Sequence, residues 1–228
     1  MALFPFFRNI EGAEALVIGG GKHALEKVER LLPYGPRLHV IAEEVCEKLA
    51  VYAAEAERKT SEEPLLQAGI GESSVPAQIT ISCRKFVEED LTEAIDFVIV
   101  AGDDAEENHW IAGLCRGRRI PVNVVDDQEY CDFIFPSLIA RGSLSVGICT
   151  NGASPSTGVL LKKKIEAQIP GNIEEILDFL QEKRAEIKEA IPDKKKRFAF
   201  YYKLSEICME EDRPLTEKEF EELLKEVR

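Results

Sequence analysis

Three consecutive glycines, Gly19-Gly20-Gly21, constrain this chain more than any other feature, because of what stands on either side of them. Ala15-Leu16-Val17-Ile18 is a short apolar run of strand character. Lys22 to Leu32 then sets Ala24, Leu25, Val28, Leu31 and Leu32 on one helical face. The turn between them, Gly19 to Ala24, fits the pattern G-x-G-x-x-A. In such a turn Gly19 permits the tight bend, Gly21 lets backbone approach a pyrophosphate, and Ala24 lets the helix pack close to the sheet. The phosphates meet the positive end of the helix. Gly19, Gly20 and Gly21, with Lys22 and His23 behind them, are therefore the candidate dinucleotide contacts. His23 reads equally as an exposed first-turn residue.

A dinucleotide site of this type expects an acid about 20 residues on, at the end of the second strand. Leu38-His39-Val40-Ile41 reads as that strand, and Glu43 and Glu44 follow it. Carboxylates there favour NAD over NADP by repelling a 2′-phosphate. The alternative is a pair of solvated acids at a helix start.

The remaining pattern extends the same architecture. Leu32-Pro33-Tyr34-Gly35-Pro36 stops the first helix and turns the chain. Val45 to Ala56 reads as helix, and the polar stretch 57–77 as a loop or insertion. Ile79 to Ser82, Phe97 to Ala101 and Val122 to Val125 read as strands, with a helix over Asn108 to Cys115. Alternating strands and helices predict an α/β fold, a Rossmann-like and mostly parallel sheet with right-handed crossovers. After Asp126 the texture changes. Phe133-Ile134-Phe135 and Leu144 to Ile148 look like two strands joined through Arg141-Gly142. From Ser154 the pattern is helical, punctuated by Pro170-Gly171, Ile191-Pro192 and Arg213-Pro214 into helices near 155–168, 172–190, 194–210 and 216–227.

Charge narrows the partners. The net charge is −13, which argues against generic binding to nucleic acid or a membrane surface, both anionic. The balance is uneven. Residues 1–110 carry 10 Lys+Arg against 21 Asp+Glu, residues 111–170 carry 7 against 5, and residues 171–228 carry 12 against 16. An anionic ligand finds the middle segment, with Arg118, Arg119, Arg141 and Lys162-Lys163-Lys164, least hostile; the triple lysine reads equally as a solvated helix face. No apolar run approaches the ~18 residues of a spanning helix, and Met1 to Phe7 lacks the basic start of a signal peptide, so a cytoplasmic location is expected. The six cysteines are scattered without a C-x-x-C or a neighbouring His, and read as buried thiols rather than a metal site. Cys149 is the one candidate for a reactive thiol.

Two further segments end strands on the ligand side of such a sheet. Asp103-Asp104 follows Val98 to Gly102, where residues line the crevice, although either can cap the next helix. Asn123-Val124-Val125-Asp126 ends the next strand alike. Asp126 there can accept a proton or touch a metal, or simply serve the turn. His39 and His109 read as structural.

Taken together, Val17 to Gly21, Ala101-Gly102-Asp103-Asp104, Asn123 to Asp126, Phe133-Ile134-Phe135-Pro136-Ser137 and Thr150-Asn151-Gly152-Ala153-Ser154-Pro155 resemble the precorrin-2 dehydrogenase/sirohydrochlorin ferrochelatase family, which includes the N-terminal part of siroheme synthase. The resemblance covers about residues 3–190. It implies an NAD-binding Rossmann-like domain (1–126), a dimerisation segment with strands (127–150), a helical C-terminal domain (151–228) and a homodimer. The implied substrate is a tetrapyrrole with eight carboxylates, oxidised by NAD⁺ from precorrin-2 to sirohydrochlorin. Bifunctional members then insert Fe²⁺. The family's key aspartate maps onto Asp126, and its NAD contacts onto Lys22, His23, Glu43 and Glu44. Asn123, Ser137, Arg141, Thr150 and Ser154 stand as candidate substrate contacts, Ser154 also as a helix cap. No permanently bound metal is expected, since one carboxylate is too few ligands.

The chain departs from the family at Gly102, where the pattern has Thr, at Thr150, where siroheme synthases can carry a modified Ser, and in the length of 57–77. No methyltransferase domain follows, so the step from uroporphyrinogen is expected of another protein. Two other readings compete. A regulatory NAD-binding module accounts for 12–126 but leaves 133–156 unexplained. A dehydrogenase acting on a small acid lacks a visible His–Asp pair or catalytic Lys at a strand end.

Overall fold

A computed structural model describes residues 3–61 and 77–227, which form two compact units. The first holds the chain to Pro136 together with Asn151–Ala153. Its centre is a five-stranded parallel sheet: β1 (Glu14–Ile18), β2 (Arg37–Ala42), β3 (Gln78–Cys83), β4 (Phe97–Val100) and β5 (Val122–Val124), in the order β3-β2-β1-β4-β5. Three helices connect the strands: α1 (Lys22–Leu31), α2 (Glu47–Ser61) and α3 (Ala105–Gly117). This is the parallel Rossmann-like sheet expected from the alternating pattern.

Strand alternation sorts the core into two layers. Ala15 and Val17 of β1 join Leu38, Val40, Ile99 and the inner faces of α1 (Ala24, Val28, Leu31) and α2 (Leu49, Ala53). Leu16 and Ile18 join Val98, Val100, Val122, Val124 and α3 through Ile111, Ala112 and Cys115. Both faces of the central strands are thus covered, which explains their continuous apolar runs. His39 is structural as expected. Its Nε2 pairs with Ser82 Oγ at 3.1 Å and its Nδ1 with Thr80 Oγ1 at 3.0 Å, tying β2 to β3.

The second unit holds a two-stranded antiparallel hairpin, β6 (Ser137–Arg141) with β7 (Leu144–Ile148), and five helices: α4 (Pro155–Glu166), α5 (Ile173–Glu182), α6 (Arg184–Ala190), α7 (Lys194–Glu210) and α8 (Glu217–Lys225). Ile176, Ile187, Phe200, Leu204, Phe220 and Leu224 form the buried centre of the last four. Among the described residues no helix is long and apolar enough to cross a membrane.

Three local expectations are corrected. Phe133-Ile134-Phe135 is not a strand; pairing begins at Ser137. Its aromatic rings are instead used for packing, Phe133 edge-on to Phe97 with centroids 5.8 Å apart, and the Phe133 carbonyl accepts from Asn123 Nδ2 at 2.9 Å. The helix expected over 45–56 starts at Glu47 and runs to Ser61, because Glu55 to Lys59 is rich in good helix formers and free of Gly and Pro; the rest of the expected loop, 62–76, lies outside the described residues. The helix expected over 172–190 breaks at Lys183, whose ammonium pairs with Glu217 of α8 at 2.5 Å and sits 4.7 Å from the Phe220 ring centroid.

Candidate functional site

Strand order reverses between β1 and β4, and ligands of open α/β sheets bind outside the carboxyl ends of the strands at that point. A crevice of about 320 Å³ opens there, lined by His23, Gly102, Asp103, His109, Val124, Asp126 and Asp127, among others.

The three glycines divide the work of the first turn. Gly19 has φ +118°, and a Cβ on it would stand 2.4 Å from the Ala101 carbonyl oxygen. A Cβ on Gly20 would stand 2.0 Å from the Glu44 carbonyl oxygen. Both are forced by the close passage of neighbouring backbone. Gly21 differs: a Cβ there meets nothing within 4 Å, and its residue is the N-cap of α1 with no side-chain cap. The first amides of α1 have no intrahelical acceptor. Bare backbone, open space and free amides at a helix start suit the pyrophosphate of a dinucleotide. Lys22 is exposed and 3.8 Å from Glu26, and His23 is exposed on the crevice wall. Glu43 and Glu44 follow β2 on the surface, Glu43 lying 3.8 Å from Lys85.

The acids at the other strand ends separate in role. Asp104 caps α3, accepting from the amides of Glu106 (2.9 Å) and Glu107 (3.2 Å), while Asp103 lines the crevice. Gly102 fits a neighbour: a Cβ on it would stand 2.8 Å from Asn108 Oδ1, and buried Asn108 donates to the Gly102 carbonyl at 2.8 Å.

Asp126 is exposed at the end of β5 with φ +61°, the left-handed region. A Cβ carries a penalty in that conformation, which Asp, like Asn, bears better than most residues. Here the buried Cys131 clamps the turn: its Sγ accepts from the Val124 amide (3.2 Å) and lies 3.1 Å from the Val124 and 3.2 Å from the Asp127 carbonyl oxygens. Burial pushes the Cys131 thiol up, away from reactivity. Asn123 is buried behind the turn, where its Nδ2 holds the Phe133 carbonyl and its Oδ1 has no partner among the described residues. Beneath, on α1, half-buried Lys27 stands 4.6 Å from the Phe135 ring centroid. Burial and then the neighbouring Arg30 lower its pKa, and the charge of Asp126 pulls it back up.

Two features, one on this wall and one behind it, are not visible in the sequence. His109, read as structural, has partners that the sequence does not show: its Nε2 lies 2.6 Å from Asp127 Oδ2, and its ring stacks on Tyr130 at 3.8 Å and 5°. A His–Asp pair does therefore stand at the strand end. Its two members are 18 positions apart, and only the packing of α3 beside β5 joins them. Lys27 was likewise hidden, as one more charge in an amphipathic helix.

The remaining candidates belong to the second unit. Thr150 Oγ1 donates to the Ser154 carbonyl at 3.1 Å, and Ser154 Oγ caps α4 through the Thr157 amide at 3.2 Å. Ser137 Oγ would stand 3.2 Å from a Cβ on Gly158 of α4. These three hydroxyls gather at the start of α4. Arg141 is apart from them and already engaged, with Glu174 at 2.9 Å and the Gly171 carbonyl at 2.7 Å.

The chain is similar to several known proteins. Siroheme synthases of Thioalkalivibrio sulfidiphilus and Pseudomonas entomophila are 34% and 33% identical over 206 and 201 residues, covering 90% and 88% of this chain but 38% and 39% of theirs. The chain thus spans about two fifths of the length of these relatives. The solved structure of "SirC, precorrin-2 dehydrogenase" superposes with a TM-score of 0.65 at 21% identity, over 99% of this chain and 98% of that one, which establishes the shared fold. A family model described as "Putative NAD(P)-binding" matches residues 6–137, more than half of the chain, and the chain belongs to that NAD(P)-binding family.

Proposed function

We propose that the chain is an NAD-dependent dehydrogenase that oxidises precorrin-2 to sirohydrochlorin on the route to siroheme. The observation that carries this reading is the crevice itself: a dinucleotide turn with open space at Gly21, facing a clamped left-handed turn that presents Asp126. The relatives named siroheme synthase supply the substrate class. NAD⁺, when bound, takes up a hydride, so a substrate that loses two hydrogens leaves one proton for the protein to handle. Gly19 and Gly20 hold the turn, Gly21 and the amides of Lys22 and His23 face the pyrophosphate, and Glu43 and Glu44 select against a 2′-phosphate. Asp103 borders the crevice. Asp126 accepts the proton.

The hydroxyls of Ser137, Thr150 and Ser154 can donate to substrate carboxylates. Arg141 would have to leave Glu174 to do so, and Asn123 serves by fixing the Asp126 turn. A homodimer is part of the proposal. Val159, Leu160, Leu161 and Ile165 leave an apolar stripe exposed on α4, the kind of patch that marks an interface. A cytoplasmic setting fits the buried thiols of Cys115, Cys131 and Cys208. Fe²⁺ enters as the substrate of a second step at the same carboxylate.

Anaerobic incubation with precorrin-2 and NAD⁺, then separately with sirohydrochlorin and Fe²⁺, tests both steps. The expected results are sirohydrochlorin with NAD⁺ preferred over NADP⁺, and siroheme. Asp126→Asn should lose both reactions. NAD⁺ binding without tetrapyrrole turnover would favour the regulatory-module reading instead.

A further inference from the structure

We propose that His109, oriented by Asp127, is the group that carries the reaction's proton from Asp126 out of the crevice; the proposal rests on the dehydrogenase reading above. A carboxylate that has taken the substrate's proton must release it before the next turnover. An imidazole on the same crevice wall, a side chain suited to accepting and passing on protons, offers that proton a defined way out.

The structure supplies one. His109 and Asp126 line the same crevice, and Asp127, next to Asp126 in the chain, holds the ring through Nε2 at 2.6 Å. Tyr130 fixes the ring plane by parallel stacking. Behind it, the Arg116 guanidinium lies 5.7 Å from the Tyr130 centroid and 3.4 Å from Asp132. Base, orienter and support are therefore present in order.

The other partly buried histidine gives the internal contrast. His39 has both ring nitrogens engaged by side chains. Among the described residues only Nε2 of His109 is engaged. A carboxylate at Nε2 selects the tautomer with hydrogen on Nε2 and leaves the Nδ1 lone pair to accept a proton. The step balances simply: the proton released by the substrate onto Asp126 passes to Nδ1 and then to water, with no change of oxidation state at either residue. Of the charged or titratable groups around the ring, Asp127 and Tyr130 touch it, Asp126, Asp103 and His23 line the same crevice, and Arg116 lies beyond Tyr130.

The test compares wild type with His109→Gln, which keeps a donor toward Asp127, and His109→Ala. In wild type the pH profile of kcat should show an acid limb, because a protonated His109 cannot accept. In both variants kcat near pH 7 should fall by about 10²-fold, the acid limb should flatten, and NAD⁺ affinity should stay unchanged. Added imidazole should restore part of the activity of His109→Ala. Nitrogen NMR of the cofactor-free protein gives a readout independent of turnover: neutral His109 should carry its hydrogen on Nε2, and Asp127→Asn should weaken that tautomer preference. Equal turnover and equal pH profiles in a wild type that oxidises precorrin-2 would overturn the proposal alone. So would a neutral ring carrying hydrogen on Nδ1. Failure of wild type to oxidise precorrin-2 would overturn the dehydrogenase reading and this assignment with it.

Discussion

Gly21→Asp separates folding from cofactor binding. At Gly21 a Cβ meets nothing within 4 Å, and the residue sits at φ −83°, ψ −166° as the N-cap of α1. Any L residue adopts that conformation. Asp is a favoured N-cap, better than Gly by a few tenths of a kcal/mol. Replacing Gly also removes unfolded-state freedom worth ~0.4–1 kcal/mol. The variant should therefore be as stable as wild type, or up to ~1 kcal/mol more stable. Binding should move the other way. The new carboxylate occupies the approach to the free amides and faces the pyrophosphate; like charges about 5 Å apart at an effective dielectric of ~20 repel by ~3 kcal/mol. That is about 10²-fold in affinity for NAD⁺. Gly20→Ala is the opposite control. Its Cβ would stand 2.0 Å from the Glu44 carbonyl oxygen, so it should lose at least the ~1–3 kcal/mol of an overpacked core. Urea denaturation and calorimetric NAD⁺ titration on the three proteins decide the matter. Equal NAD⁺ affinities for wild type and Gly21→Asp would remove this turn from the cofactor site, and a stable Gly20→Ala would refute the packing argument.

Asp126→Asn should fold with unchanged stability, because Asn tolerates the left-handed region, and lose ~10²–10⁴-fold in turnover; Asp126→Ala should lose the same activity and ~1 kcal/mol or more of stability, seen in parallel denaturation and rate measurements. Cys131→Ala removes the clamp on the Val124–Asp127 turn and should cost ~1–3 kcal/mol, with faster amide exchange at Val124. Arg213, followed by the amide and hydroxyl of Thr216, holds the Glu219 carboxyl down at about 2. A depressed carboxyl stabilises the fold above its unfolded value and loses that contribution as pH falls through the folded one. Glu219→Gln should therefore lower Tm at pH 6, with the difference from wild type fading between about pH 4.5 and 2. Leu160→Glu, on the exposed stripe of α4, should convert a dimer to a monomer in light scattering; an unchanged mass would move the interface elsewhere.

The sheet was legible because its strands are apolar runs bounded by glycine, proline or acids, and because parallel strands buried on both faces leave a plain signature. The glycine turn was legible for the same local reason. The crevice wall was less so. His109 and Asp127 meet across two elements, and nothing in the sequence near His109 marks it apart from an ordinary helical residue. Asp126 was visible as a strand-end acid, but its left-handed backbone and the Cys131 clamp depend on a return of the chain seven and five positions later. Phe133 to Phe135 misled for a physical reason. Alternating large apolar residues serve strand pairing and side-chain packing alike, and here Asn123 and the rings of Phe97 and Phe133 favoured packing over a ladder. The split at Lys183 depends on Glu217 and Phe220, contacts that no local pattern contains.

The central claim is that this crevice transfers hydrogen from a tetrapyrrole to NAD⁺. Its most direct test is an anaerobic single-turnover experiment in which precorrin-2 loss, sirohydrochlorin appearance and NADH formation are followed together by absorbance. One NADH per sirohydrochlorin, formed by wild type and reduced by ~10²-fold or more in Asp126→Asn, is the predicted result. Tight NAD⁺ binding with precorrin-2 unchanged over the same period would contradict it.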